Sequence, residues 1–179
     1  FRELSVNQIM DCTWDYENNG CQGGEAGPAF RSLVDQKAKL ALESEYPYIG
    51  VSGYCDRNIE HPVLEVEDCY KIEPKTKAVK EAVMKFGPAS IGISVPDSMI
   101  TYTKGLYNDT ECYPTTSEMV HEVLLTGWKV IDGEEAWEVK NSWSTHWGDN
   151  GYIYIQLRNQ EWNCGVTTDA KIPIIKVVN

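Results

Sequence analysis

Two rhythms of hydrophobic and polar positions run along the chain. In the first half, apolar residues return every three or four positions, the spacing of one helix face. Phe30, Leu33 and Val34 follow it in a segment predicted as a helix from about Ala26 toward Lys37. Val79, Ala82, Val83 and Phe86 follow it across residues 76–86, with Thr76 placed to cap the start and Gly87-Pro88 to stop it. A shorter helix through Cys12 is predicted from Ser5-Val6-Asn7-Gln8, a capping-box pattern. NNGCQGG (18–24) and YPYIGVSGYC (46–55) read as loops. The second half changes to short β-branched and aromatic runs: SIGISV, VLLTGWKV, AWEVKNSW, GYIYIQLR and IPIIKVV. In GYIYIQLR, Ile153, Ile155 and Leu157 alternate with Tyr152, Tyr154 and Gln156, as a half-buried strand does. The pattern predicts an α+β chain, helical over about 1–85 and strand-rich over about 86–179, within one domain spanning 1–179.

Composition narrows the functional classes. Of 179 residues, 42% are hydrophobic, which supports a core. The formal net charge of −11 argues against nucleic acid and anionic membrane surfaces, since both need a basic patch. No apolar run reaches membrane-spanning length. Cysteines stand at 12, 21, 55, 69, 112 and 164, none in Cys-x-x-Cys spacing, so disulfides and an oxidising compartment are expected rather than zinc. The sequon Asn108-Asp109-Thr110 agrees with glycosylation at Asn108 and secretion. FRELSVNQIMDC reads as the middle of a domain, so the chain is expected to be N-terminally incomplete.

Candidate chemistry centres on two residues. His121 opens one predicted strand and Asn141 lies near the end of the next. Neighbouring strands can bring them together, and an Asn carbonyl accepting the imidazole N–H would fix its tautomer and orientation. Trp143 and Trp147 would keep water from that bond. A histidine held this way is a general base awaiting a nucleophile.

LSVNQIMDC, NNGCQGG, FGPASIGIS, HEVLLTGW, VKNSWSTHWGDNGYI and NCGV, in that order, resemble the papain-like cysteine peptidases. The wording of YPYIGVSGYC and NSWSTHWG is nearest to the insect 26/29-kilodalton protease type. The resemblance implies a papain-like two-subdomain fold with an antiparallel sheet or barrel in its C-terminal half. It implies His121 as base, Asn141 as orienting partner, Trp143 as shield, and Gly23 and Gly24 presenting backbone to an extended polypeptide. Glu25, Ala26, Gly92, Val120, Glu122 and Asp169 match the second substrate subsite. Three carboxylates there suggest a preference for Arg or Lys. The resemblance pairs Cys12 with Cys55 and Cys112 with Cys164, sends Cys21 to an upstream cysteine, and leaves Cys69 without an assigned partner.

One feature departs from the family pattern. The nucleophile's Cys-Gly-Ser-Cys-Trp motif occurs nowhere in the chain. The nucleophile is therefore expected on an upstream segment or second chain tethered through Cys21, and this chain alone is expected to be inactive. The rival reading is a noncatalytic relative kept as a secreted binding or structural scaffold. Glu122 beside His121 and Val120 before it favour the scaffold, whereas the intact Asn141-Ser142-Trp143 block favours the peptidase. Neither metal nor organic cofactor is implied. The expected location is extracellular or a lysosome-like compartment.

Overall fold

Ser5 begins the first helix, α1 (Val6–Cys12), in a computed structural model that describes residues 2–112, 119–157 and 163–178. Its hydroxyl accepts the Gln8 N–H at 2.9 Å, satisfying a helix-end donor that has no partner within the helix. The reciprocal half of the capping box is not made. The Gln8 side chain instead donates to the Lys39 carbonyl and accepts from the Ala41 N–H, so it ties α1 to a short strand. Cys12 and Cys55 are disulfide-bonded across a separation of 43 residues, a loop closure worth about 4 kcal/mol.

Contacts divide the chain into two units, Phe1–Tyr70 with Pro173–Asn179, and Lys71–Ile172. The first holds α1, α2 (Ala26–Asp35), β1 (Lys39–Leu40) and most of β2 (Leu64–Lys71). β1 and β2 pair antiparallel, with Leu40 opposite Leu64. Leu33 of α2, Leu40 and Val66 form the buried centre, and Leu4, Ile9, Val34 and Ala38 pack around it. These are the positions that helical and strand spacing turn inward.

The second unit contains α3 (Thr76–Phe86), β3 (Ala89–Ile93), α4 (Asp97–Ile100), β4 (Leu106–Tyr107), β5 (His121–Ile131), β6 (Glu134–Lys140) and β7 (Tyr152–Gln156). It also contains the first residues of β8 (Lys171–Val177). α3 packs against β5, which groups it with the strands. Lys75, not Thr76, is the N-cap of α3, and it gives no side-chain cap. Gly87, at φ 99°, ends the helix and donates to the Val83 carbonyl at 3.0 Å. Val79 and Val83 are buried as the spacing predicts, but Phe86 at the helix end is exposed.

Strand order in this unit runs β8, β3, β5, β6, β7, β4. Of the expected sheet or barrel, the described residues form an open sheet, and its β4–β7 pair is parallel. β3–β5–β6–β7 pair antiparallel. Ile91, Ile93, Leu125, Trp137, Val139, Ile153 and Ile155 are its fully buried centre. β7 is covered more fully than alternation predicts, because Tyr154 is buried too, with the Lys129 ammonium 3.6 Å from its ring centroid. Arg158, the last residue of the predicted GYIYIQLR strand, lies outside the described residues. Cys112 and Cys164 form the second disulfide. Among the described residues no helix is long and apolar enough to cross a membrane.

Candidate active site

A bulge in β5 sets the register that brings His121 and Asn141 together. Leu125 pairs with Val139 and Gly127 with Glu138, so Thr126 is the extra residue. Its hydroxyl bonds to both the carbonyl and the carboxylate of Glu138, at 3.0 Å each. A one-residue change of register exchanges the two faces of a strand. On the near side of the bulge, the start of β5 lies against the residues that follow β6.

There His121 Nε2 donates to Asn141 Oδ1 at 2.8 Å. The Ser142 backbone N–H donates to the same oxygen, also at 2.8 Å. Two donors converging on one atom require the amide oxygen there, which places the imidazole proton on Nε2. In the neutral imidazole Nδ1 then carries the lone pair. Asn141 is buried, and its backbone N–H bonds to the Gly151 carbonyl. Its Nδ2 finds no partner among the described residues. An orphaned buried donor costs about 1–3 kcal/mol, so the amide's orientation is held at the expense of stability.

Aromatic rings cover the pair. Trp143 stacks on His121 with centroids 5.1 Å apart and 24° between planes. Trp147 meets Trp143 edge-on at 4.9 Å. Trp147 is anchored in turn, since its Nε1–H points at the carbonyls of Met99 and Ile100, at 3.2 and 3.1 Å. The loop turns back sharply at Gly148, φ 61°, where a Cβ would collide with the Tyr152 carbonyl. Tyr102 packs on Trp147 and accepts the Gly148 N–H on its carbonyl, its hydroxyl donates to the Gly105 carbonyl, and burial pushes its pKa up to about 12.

Among the expected substrate positions in this unit, Gly92 and Glu122 are register partners on β3 and β5. Val120 is exposed, and its backbone donates to the Ile93 carbonyl. Asp169 and Glu122 do not stand as free carboxylates. Lys171, which is buried, pairs with Asp169 and lies 3.5 Å from Glu122, while Ser90 donates to Glu122 at 2.6 Å. Lys71 reaches the other Asp169 oxygen at 2.8 Å. Burial raises the Asp169 pKa, but the bonds from Lys171 and Lys71 outweigh it and hold the carboxyl below its ordinary value. Sequence reasoning missed Lys171. Asp169 is two residues away along the chain, but only the pairing of Ser90 with Lys171, beside the β3–β5 pairing, brings the ammonium to Glu122.

Gly23, Gly24, Glu25 and Ala26 belong to the first unit. Gly23 is exposed at φ 105° with open space where a side chain would be, and Gly24 would clash with Asn18 if it carried one. Asn18, a second residue the sequence did not flag, is buried, and its Oδ1 accepts the Glu25 N–H at 2.7 Å. The loop's glycine backbone is thus pinned from behind and open in front. Glu25 is exposed at the head of α2 and makes no side-chain cap; Ala26 begins the helix half-buried. Cys21 is exposed in this loop, 3.3 Å from the Ser52 hydroxyl, and neither it nor Cys69 is disulfide-bonded. Asn108 is exposed. His61 and His146 are exposed.

The family model for papain family cysteine proteases matches residues 1–174. Cysteine proteinase 2 of Entamoeba histolytica is 33% identical over 172 residues, covering 96% of this chain and 53% of that protein. Pro-cathepsin H of Mus musculus is 34% identical over 175 residues, covering 97% and 52%. The chain spans about half the length of these curated relatives. Among solved structures, digestive procathepsin L 3 of Tenebrio molitor larval midgut matches with a TM-score of 0.86 at 31% identity, over 96% of this chain and 55% of that one. The bromelain protease from Ananas comosus, in complex with the E64 inhibitor, matches with a TM-score of 0.85 at 26% identity, over 97% and 78%. The chain belongs to the papain family of cysteine proteases.

Proposed function

We propose that this chain is part of a cysteine peptidase that hydrolyses polypeptides by a Cys-His-Asn mechanism. His121 is the base, Asn141 its orienting partner, Trp143 and Trp147 the cover, and a segment upstream of this chain supplies the nucleophile. The 2.8 Å bond between His121 Nε2 and Asn141 Oδ1 carries the reading, because it leaves Nδ1 as the proton acceptor. Nδ1 takes the thiol proton and the thiolate attacks the scissile carbonyl carbon, forming the C–S bond. The imidazolium then protonates the departing amine as the C–N bond breaks. Water, deprotonated by His121, cleaves the thioester and releases the product acid. By itself this chain performs none of these steps.

The open backbone at Gly23 and Gly24 suits an extended peptide, with Glu25 and Ala26 beside it and Gly92, Val120, Glu122 and Asp169 forming a subsite in the second unit. Cys21, exposed and without a disulfide partner, is the tether to the upstream segment. Two disulfides and an exposed sequon at Asn108 favour a glycosylated protein of an extracellular or lysosome-like compartment. The test treats native, unreduced protein with an epoxide probe for papain-type thiols, followed by reducing and non-reducing gels with mass mapping. Label on a cysteine upstream of Phe1 is expected. An intact upstream segment that takes up no label would overturn the peptidase assignment.

A further inference from the structure

Lys171 is the least expected charge in the second unit. It is 7% exposed, at the first position of β8, and its Cα partner on β3 is Ser90. A buried ammonium is stable only when paired and hydrogen-bonded. Lys171 binds Asp169 directly and lies 3.5 Å from Glu122. Ser90 completes the coordination of Glu122, and Lys71 that of Asp169. Two acids thus meet two lysines, and the formal charge of the group is zero. Met119 rests over two glycines: a Cβ at Gly92 would sit 3.3 Å from its methyl carbon, and one at Gly165 would sit 2.8 Å from its sulfur. The absent side chains make room for a thioether, which is flexible and polarizable enough to adapt to different apolar partners.

We propose that Lys171 is a specificity-determining residue, which occupies Glu122 and Asp169 internally so that the subsite they line accepts neutral apolar side chains and rejects Arg and Lys. The inference rests on the peptidase reading and on Glu122 and Asp169 as substrate-lining positions. An arriving guanidinium would find both acids already satisfied and an ammonium between them. It would have to break an existing pair to make a new one. An aliphatic side chain would meet Met119 and displace no charge. Specificity here comes from a repulsive element as much as from an attractive one.

The experiment uses the complete protein with its upstream segment and paired fluorogenic peptides that differ only in the second residue before the scissile bond, Leu or Arg. Epoxide titration first counts active sites. Wild type should favour Leu by about tenfold or more in kcat/KM. Lys171→Met should shrink that ratio about tenfold, mainly through a lower KM for the Arg peptide. The double variant Glu122→Gln/Lys171→Met removes an acid together with the lysine and should restore the preference for Leu, and a labelled double variant that prefers Arg would overturn the proposal even where the single variant does not fold. A labelled, active wild type that prefers Arg would overturn the proposal and leave the peptidase reading standing. So would a Lys171→Met enzyme with an unchanged ratio. Failure to label at all would overturn both.

Discussion

Two places in the second unit bury polar groups by opposite means. At His121–Asn141 a hydrogen bond joins the partners beneath Trp143, which stacks on the imidazole, and one amide donor is left unsatisfied. At Lys171 the groups are ionised, and each carboxylate has more than one donor. The first place gives up stability to fix a direction. The second is compensated throughout and offers no reactive lone pair. A site that must move a proton needs the former arrangement. A site that must only present a surface of defined charge can use the latter.

The difference should appear most strongly when a charge is removed. Lys171→Met strands Glu122 and leaves Asp169 with Lys71 alone. Removing one member of a buried pair costs about 3 kcal/mol or more, and partial exposure of both acids puts this case at the low end. Urea unfolding should show that loss, and Glu122→Gln/Lys171→Met should recover most of it. If the double variant is no more stable than the single one, the cluster is not held together by charge pairing.

Asn141→Ala should behave in the opposite way. It deletes the orphaned donor but also strands the His121 Nε2–H and the Ser142 N–H, so gain and loss largely offset and stability should change little. Activity of the complete protein should fall about 10²-fold in kcat/KM, the effect expected when a catalytic group loses its fixed geometry. Retained activity with an unchanged melting temperature would remove Asn141 from the orienting role.

The two places were also unequally legible. Asn141 and Trp143 are two residues apart in one distinctive block, and His121 opens the preceding strand, so order along the chain announced the pair. The Cys12–Cys55 and Cys112–Cys164 bridges, implied by the same resemblance, are formed. Lys171 was invisible for a geometric reason. Its partners come from β5 and from the turn before β8, and only strand order places β3 between them. Glu122 and Asp169 were read as free acids because sequence shows charges and hides their pairings. Local detail failed similarly at Gln8, whose side chain serves a strand rather than the cap, and at Thr76, which stands one position inside its helix. The misses at Gln8 and at Lys171 with Glu122 required knowing which backbone came close from far along the chain.

Acid titration offers the finest separation of the two places. The lysines hold the Asp169 carboxyl below its ordinary value of 3.8, despite burial acting the other way. A folded pKa below the unfolded one means that the unfolded chain takes up the proton first as pH falls. The contribution of Asp169 is therefore constant above about pH 4 and is lost below it, as pH descends through the folded value. Asp169→Asn should be less stable than wild type at pH 6 yet lose less between pH 5 and pH 3 in parallel thermal melts. Asn141→Ala, which touches no carboxylate, should keep the wild-type slope over the same range. The effect is the smallest of the three, because Asp169 keeps some contact with solvent, which screens its pairs. An Asp169→Asn acid limb that superimposes on the wild-type limb would mean that the folded chain holds this carboxylate no more firmly than water does, and that Lys171 is buried for reasons other than pairing with Asp169.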